Sequence, residues 1–541
     1  MAMTQVQAEP QPAPRRRMTS LRDWLVPPIP GSPLWGWLGP LAITLFAGFL
    51  RFYRLGQPRA VVFDETYYAK DSLALLKFGY EHNTMQNADQ VLLAPGTDKW
   101  DPKIWADGGS FIAHPPAGKW MIAIGEWMFG ATPFGWRFMP ALIGTLSVLV
   151  LARIARRMTG STLLGCAAGL LLALDGLELV TSRTAILDIF LMWWVLAGFG
   201  CLIIDRDKSR AALARKLEAM PDVPFGTRFS SPFGGSAGAG LGPFVMHWWR
   251  WAAGICFGLA CATKWDGIFY ITAFGIMVIV WDYGARRAAG IENPGVGALV
   301  LEAPLAFVQL VVVALVTYVV SWSGWLYTSG GWGRGHVVSN PLLRPFAALP
   351  QLWHYHAEMW GFHNNLKAKH PYQSWPWDWP ILRRPVAFYY TEPKTGCGNA
   401  VKCSREVLGI GTPALWWAGL IVMIMLIFVW LLNRDWRAGV ILLGYLAGWL
   451  PWFVPAMRDR TMFQFYATPM IPFMVLGIVL VMGMIIGPIR EAGTRRVLGA
   501  AAAGAFVLVV LANFYYMYPV LAAETIPYDQ WHARMWLDSW I

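Results

Sequence analysis

Apolar segments, each about as long as a lipid bilayer is thick, recur along almost the whole chain. A transmembrane helix needs roughly 20 mostly apolar residues, and runs of this kind recur between Leu34 and Tyr518. Only 14% of the 541 residues are charged and 56% are hydrophobic, whereas a soluble domain carries about 25% charged residues. The pattern therefore predicts an all-α membrane protein with many spans.

Arginine and lysine indicate which ends of these spans lie in the cytoplasm. The short breaks "ARIARRM", "DRDKSRAALARK" and "NRDWR" are basic, as the positive-inside rule expects of cytoplasmic loops. We predict about eleven spans, with the N-terminus in the cytoplasm and the C-terminus outside. The net charge of +12 is distributed over such breaks rather than along a basic surface interleaved with aromatics, which argues against nucleic-acid binding.

The predicted spans divide the chain into four parts. Residues 1–33 are Pro-rich and polar and predict a disordered cytoplasmic tail. Residues 34–320 form an N-terminal catalytic transmembrane module that includes a first external loop at 56–132, residues 321–411 form a second external loop, and residues 412–541 form a C-terminal region of four spans. Both loops are expected to carry amphipathic helices on the outer face of the plasma membrane.

An adjacent acid pair, Asp64 and Glu65, stands about ten residues beyond the first span. Apolar and aromatic residues flank it in "AVVFDETYYAK". An acid pair in a loop is usually just solvated, but a carboxylate at membrane depth is costly unless it has a function. A carboxylate in this setting is suited to accept a proton from a hydroxyl.

Basic residues converge on the same predicted outer face from several helix ends. His114 and Lys119 stand in "AHPPAGKW", while Arg137, Arg183, Lys264 and Arg458 stand at other span ends. Each one alone is equally well explained as an interfacial anchor or as a partner of a nearby acid, such as Asp188. Together they predict a site for a phosphate carried in the membrane plane.

The second external loop holds several histidines and a cysteine pair. The spacing of His354, His356, His363 and His370 lacks the pattern and carboxylate partners of a zinc site, so no metal is predicted. Cys397 and Cys403 lie in the polar stretch "TGCGNAVKCSRE". If this loop faces an oxidising compartment, they are expected to form a disulfide.

Five segments together resemble the protein O-mannosyltransferases, a family of membrane glycosyltransferases with the GT-C architecture. They are "FDE", "HPPAGKW", "WRFMPALIGTL", "DGLELVTSRTAILDIFL" and "LACATKWDGIF". The resemblance runs from about Arg51 to Asp282 and more loosely through the C-terminal region, and it is closest to the actinobacterial members.

The resemblance implies that mannose moves from a polyprenyl-phosphate carrier to Ser or Thr hydroxyls of secreted proteins. It implies a catalytic pair at Asp64 and Glu65, with Asp64 as the base. It also implies that His114, Lys119, Arg137, Arg183 and Lys264 are motif positions. The second loop is too short for the sugar-binding β-trefoil domain of many eukaryotic members.

We expect an inverting single displacement that requires no metal, because the donor carries one phosphate. The first alternative is a transferase of the same architecture that moves another lipid-linked sugar, such as arabinose or aminoarabinose, to a lipid or glycan. A transporter would instead place charges and broken helices in the middle of the membrane. A structural membrane protein would not need Asp64.

Overall fold

The computed structural model describes residues 20–94, 96, 100–219, 240–338, 340–488 and 493–541. These residues are mostly helical, with two small antiparallel sheets. The predictions that fall on residues 1–19, on residues 220–239 of the Gly-rich cytoplasmic loop and on Arg490 lie outside the described residues.

Within the described residues, nine helices are long and apolar enough to cross a membrane. In chain order they are Trp35–Phe52, Pro133–Thr159, Asp188–Glu218, Gly267–Ala288, Pro294–Ser321, Pro413–Asn433, Trp436–Ala456, Gln464–Ile486 and Thr494–Leu521. The pair Thr162–Ala173 and Gly176–Ser182, bent by 66°, is a tenth candidate. The apolar helix Trp248–Thr263 has 16 residues. The expected all-α membrane architecture is confirmed, and the count of about eleven spans stays a prediction.

Two helices form the centre of the bundle. In Asp188–Glu218, 72% of the most apolar window is buried, and in Gln464–Ile486 the share is 78%. The shares for Pro294–Ser321 and Thr494–Leu521 are 28% and 22%. The side chains that these two outer helices expose are largely apolar, so their outward faces are suited to contact lipid.

The bend in the pair Thr162–Ala173 and Gly176–Ser182 depends on a buried acid. The carboxylate of Asp175 caps the second helix by accepting from the Glu178 N–H at 2.9 Å. Its other oxygen accepts from Trp416 Nε1 at 2.6 Å. The bend directs the chain towards Arg183, whose Nη1 donates to the carbonyls of Leu50, Arg51 and Tyr53 at 2.8 to 3.0 Å. These bonds fix the end of the first span, from which the chain continues to Asp64.

Both loops that are predicted to be external are folded. The first contains the helices Glu65–Phe78, Ala88–Leu93 and Ala117–Phe129 and the strands β1 (His82–Thr84) and β2 (Trp105–Gly109). The second contains the helices Ser323–Tyr327 and Ala348–Asn365 and the strands β3 (Val386–Thr391) and β4 (Cys403–Gly409).

The amphipathic helix expected in the second loop is confirmed by Ala348–Asn365. It buries Leu352, Tyr355 and Met359 along one face, while Trp353 on another face is 78% exposed. The strands had not been expected. Strand β5 (Thr525–Pro527), from beyond the last span, completes the order β3-β4-β5. It brings the C-terminal segment into the same sheet as the second loop.

One part of the predicted disordered tail is wrong. Residues Leu21–Leu25 form a short helix, which Ser20 caps by accepting from the Asp23 N–H. Leu21 and Leu25, four residues apart and thus on one face, are buried against Leu213 and Leu217 of the helix Asp188–Glu218. This i, i+4 apolar pair gives the segment a packing surface. It was not recognised in the sequence because the residues around it are Pro-rich and polar.

Candidate active site

Asp64 lies at the start of the helix Glu65–Phe78, in a segment held by aromatic packing. The preceding Phe63 has a φ of 46°, and its ring stacks on Phe388 with the centroids 5.0 Å apart. The rings of Phe463 and Phe465 contact its edge at 5.8 and 5.7 Å. Phe63 therefore fixes the backbone from which the Asp64 carboxylate projects.

The adjacent acids have different surroundings. Glu65 is fully buried, and its oxygens accept from Arg137 Nε at 2.7 Å and from Arg137 Nη2 at 2.8 Å. They also accept from the backbone N–H groups of Val62 and Ala185, both at 3.0 Å. Arg137 additionally donates to the carbonyls of Pro58 and Ala60. All the hydrogen-bonding capacity of this pair is thus used to hold the loop before Asp64.

Asp64 itself is half-buried and retains its hydrogen-bonding capacity. In the part of the chain that the structure describes, its carboxylate accepts no hydrogen bond. The Asp64 pKa is raised to about 7, mainly because the carboxyl group is buried. The charge of nearby Lys264 acts to lower this pKa, and the charge of Asp188 acts to raise it. The site therefore contains an unpartnered carboxyl group that exchanges its proton near neutral pH, which is the property of a general base.

Lys264 follows the helix Trp248–Thr263 directly. Its Nζ donates to both carboxylate oxygens of Asp188, at 3.0 and 3.2 Å. It also lies over the ring of Tyr466, 4.4 Å from the centroid. Because the charges of Lys264 and Asp188 both change the Asp64 pKa, this ion pair lies close to the candidate base.

Arg460 contributes a second cation, and no carboxylate partner for it occurs among the described residues. Its Nε donates to the His363 carbonyl at 3.1 Å, and its Nη2 is 3.3 Å from His363 Nδ1. The guanidinium also lies over the rings of Trp452 and Tyr466, at 5.5 and 5.8 Å. The stacked guanidinium thus remains available to an anion.

His114 joins this group from the first loop. Its ring centroid is 5.2 Å from that of His363 and 6.3 Å from that of Tyr68. Burial, together with the charges of Lys264, Lys119 and Arg460, lowers the His114 pKa well below its usual value. Burial and Arg460 lower the His363 pKa to about 4. Both rings are therefore neutral at pH 7 and offer one donor and one acceptor each.

The remaining predicted anion-binding residues are engaged elsewhere or exposed. Lys119 is fully buried, forms an ion pair with Glu81 and donates to the His114 carbonyl at 2.9 Å. Arg183 caps the end of the first span, as described above. Arg458 has an exposed side chain two residues before Arg460. Of the cations at the predicted outer face, Lys264 and Arg460 lie over the same ring, that of Tyr466, and the anion site itself stays a prediction.

An apolar groove of about 1050 Å³ begins beside Lys264. Its walls are the helices Gly267–Ala288 and Pro294–Ser321, and Trp353 and Trp360 from the second loop line its outer end. Trp265, the residue after Lys264, lines the groove as well. Its ring centroid is 5.8 Å from that of His363, so the groove leads to the polar site. Wall residues Ile276 and Leu315 are 64% and 61% exposed, which indicates that the groove opens to the side of the bundle.

Three histidines of the second loop, His356, His363 and His370, have hydrogen-bond partners within the protein. His356 Nε2 is 2.7 Å from the Tyr318 hydroxyl, and His363 Nε2 is 2.7 Å from the Ala113 carbonyl oxygen. Among the described residues, one group has a metal-compatible arrangement: His247, Asp282 and Glu302. Its two acids form ion pairs with Arg250 and Arg286. Cys397 and Cys403 are joined by a disulfide at the start of β4.

Several residues of this site were not singled out from the sequence. Tyr466 and Trp265 are aromatic residues in a chain that is 15% aromatic, so their types carry little signal. His363 attracted notice only as a metal ligand. Arg460 differs from Arg458 in the direction of its side chain after the turn at Asp459, whose φ is 57°, and a sequence does not show that direction.

Comparisons with known proteins agree with this architecture. Residues 41–214 match the family model described as dolichyl-phosphate-mannose-protein mannosyltransferase. Residues 348–540 match the model of the C-terminal four-span region of protein O-mannosyltransferase. The polyprenol-phosphate-mannose–protein mannosyltransferase of Mycolicibacterium smegmatis is 37% identical over 95% of this chain and 96% of its own length. The Mycobacterium tuberculosis protein of the same name is 37% identical over 94% of this chain and 93% of its own length.

A solved structure supports the fold. The Saccharomyces cerevisiae protein O-mannosyltransferase Pmt1–Pmt2 complex bound to the sugar donor contains a chain that aligns with a TM-score of 0.68. The alignment covers 96% of this chain and 94% of that chain at 14% identity. The expected GT-C architecture is confirmed by this likeness. The chain belongs to the protein O-mannosyltransferase family.

Proposed function

We propose that this protein transfers mannose from polyprenyl-phosphate mannose to Ser or Thr hydroxyls of exported polypeptides on the outer face of the plasma membrane. The observation that carries the proposal is the partner-free carboxylate of Asp64 close to Lys264. Lys264 and Arg460 both lie over the ring of Tyr466, at 4.4 and 5.8 Å from its centroid. The names of the mycobacterial relatives specify this donor and a protein acceptor.

The apolar groove supports a lipid-linked donor. A polyprenyl chain in the groove between Gly267–Ala288 and Pro294–Ser321 would contact almost only apolar side chains. Its phosphate would then lie at the end marked by Trp265, next to Lys264. Arg460 replaces Arg458 in this proposal, because the guanidinium of Arg460 faces His363 and the Arg458 side chain is exposed.

The reaction is a single displacement. The Asp64 carboxylate accepts the proton of the acceptor hydroxyl as its oxygen forms a bond to the anomeric carbon of mannose. The bond from that carbon to the phosphate oxygen breaks, and the electron pair leaves with polyprenyl phosphate. Lys264 and Arg460 stabilise the added negative charge. The proton on Asp64 then passes to water, and the configuration at the anomeric carbon is inverted.

Glu65, Arg137, Arg183 and Lys119 are positioning residues in this mechanism. Their charged groups are bound to other side chains and to backbone carbonyls of the protein. Glu65 and Arg137 hold the loop that carries Asp64. Lys119 holds the carbonyl of His114, whose neutral ring is placed to hydrogen-bond a sugar hydroxyl. Of the predicted catalytic pair, Asp64 is thus the base in this mechanism, and Glu65 is a positioning residue.

A transfer assay tests the proposal. Membranes that contain the wild-type protein are incubated with radiolabelled polyprenyl-phosphate mannose and a Ser/Thr peptide, and label on the peptide is counted. Asp64→Asn should abolish most of the transfer, whereas Asp107→Asn, an exposed acid of the same loop, serves as the matched control. Transfer of label to lipid or glycan but not to peptide would refute the acceptor class, and an active Asp64→Asn variant would refute the base.

A further inference from the structure

The external sheet has one long edge without a hydrogen-bonding partner. In the order β3-β4-β5, strand β3 pairs only with β4. No hydrogen bond joins the other edge of β3 to any segment in the ranges that the structure describes. The opposite edge of the sheet is formed by three residues of β5, one of which is Pro527. Val386 and Phe388 of this strand are buried, and Tyr390 near its end is exposed. The unpaired edge around Tyr390 is therefore a ready template for an added strand.

The sheet register shows which backbone groups this edge offers. Cys403 is opposite Pro527, and since proline has no N–H, these two residues do not exchange hydrogen bonds. In an antiparallel pair the bonded and non-bonded positions alternate, so the backbone N–H and C=O of the next residue, Ser404, point towards β5. The Glu406 carbonyl accepts from the Ala523 N–H, which agrees with this alternation. Arg405 and Val407 therefore face β3 and bond to Thr391 and Tyr389. The N–H and C=O of Tyr390, between them, point away from β4.

The open edge lies close to the candidate base. Phe388 forms the irregularity between Ala387 and Tyr389. Its ring stacks on that of Phe63, the neighbour of Asp64, at a centroid distance of 5.0 Å. Tyr390, two residues further along, is 39% exposed. A strand advances about 3.3 Å per residue, so an added strand at Tyr390 would reach Asp64 within about three to five residues.

We propose that the acceptor polypeptide binds as an added antiparallel or parallel strand on β3, with its backbone bonded to the N–H and C=O of Tyr390. This inference rests on the proposed function, because it takes the acceptor to be an extended polypeptide. Backbone pairing binds segments of varied sequence, which suits an enzyme whose acceptors share only a hydroxyl residue. The hydroxyl that reacts lies a few residues away from the paired position, at Asp64.

Substitution by proline tests the backbone contact. Proline removes the N–H at position 390 and is tolerated on an edge strand where that N–H faces outward. Y390P is compared with Y390A, since both lose the phenol and only the first loses the N–H. One hydrogen bond contributes about 1 kcal/mol net, so the acceptor-peptide KM of Y390P should exceed that of Y390A by roughly fivefold. The donor KM should be the same in both variants.

Peptide chemistry gives a second measurement on the wild-type protein, independent of any folding defect in a variant. Acceptor peptides are methylated at single backbone nitrogens three to five residues from the Ser. At least one of these positions should raise KM, and truncation of the same flank to two residues should do so too. Equal KM values for the methylated, truncated and parent peptides would overturn the proposal.

A second copy of this chain is the rival occupant of the edge. If β3 instead joins two copies, Y390P should shift the detergent-solubilised protein from dimer to monomer in light scattering, with acceptor KM equal to that of Y390A. That result would overturn the proposal while leaving the transferase activity intact. Failure of the wild-type protein to label any peptide would refute the proposed function, and with it this inference.

Discussion

The proton affinity of Asp64 predicts a specific pH dependence of transfer. Burial raises its pKa from 3.8 to about 7, and a base acts only when it is deprotonated. With a pKa near 7, about 9% of the molecules carry the carboxylate at pH 6 and about 91% carry it at pH 8. We therefore expect kcat/KM to rise about tenfold between pH 6 and pH 8. An unshifted carboxyl group would give a flat profile over this range.

The assay measures initial rates of mannosyl transfer to a peptide in detergent-solubilised protein at low substrate concentration, from pH 5.5 to 8.5. Asp64→Asn provides the comparison within the same site. Its rate at pH 8 should fall about a hundredfold, the scale for a positioned general base, and the remaining rate should lose the dependence on pH. A flat wild-type profile, or an Asp64→Asn variant that keeps the wild-type profile, would refute the assignment of the base.

Four other outcomes are expected. Glu65→Gln breaks the buried pair with Arg137 and should lower the free energy of unfolding by about 3 to 5 kcal/mol, measured as a lower thermal midpoint, whereas an unchanged midpoint would contradict its bracing role. Arg460→Gln should raise the donor KM at least fivefold with little change in acceptor KM; a similar effect of Arg458→Gln would show that the wrong arginine was chosen. The Cys397–Cys403 disulfide should appear in mass spectrometry of the unreduced protein and contribute about 2 to 3 kcal/mol; two free thiols in native membranes would exclude it. Topology reporters should be external after Lys119 and Lys402 and cytoplasmic after Arg157, Lys216 and Arg496, and a cytoplasmic signal after Lys119 would reverse the orientation.

The spans and the family could be predicted from the sequence because both depend on local signals. Apolar length and arginine position need no tertiary information, and segments such as "HPPAGKW" keep their order in the chain. The sheet β3-β4-β5 was not predicted, because its pairing depends on contacts between distant parts of the chain. Strands β4 and β5 are more than 100 residues apart in the chain, and β5 has three residues, so no local pattern announces their pairing.

The roles of the charged residues could be predicted only in part. The sequence places Glu65, Lys119 and Arg183 in the first loop or at predicted span ends, but it does not show their partners. Glu65 and Asp64 are neighbours of the same chemical type. The difference between them arises from Arg137, 72 residues away, and from the Ala185 N–H. The roles of these two acids therefore depend on tertiary contacts, which the sequence does not show.

The separation of paired from unpaired charges gives the site its reactivity. A buried charge without a partner is costly, and the structure pairs Glu65 and Lys119 with opposite charges. Breaking such a pair destabilises the fold, so these residues hold the loop and helix ends in place. Asp64 remains half-buried with no such partner. Its pKa is raised because burial disfavours the charged carboxylate. In the proposed mechanism, the acceptor hydroxyl group would supply this missing hydrogen bond, and the same contact would transfer its proton to Asp64.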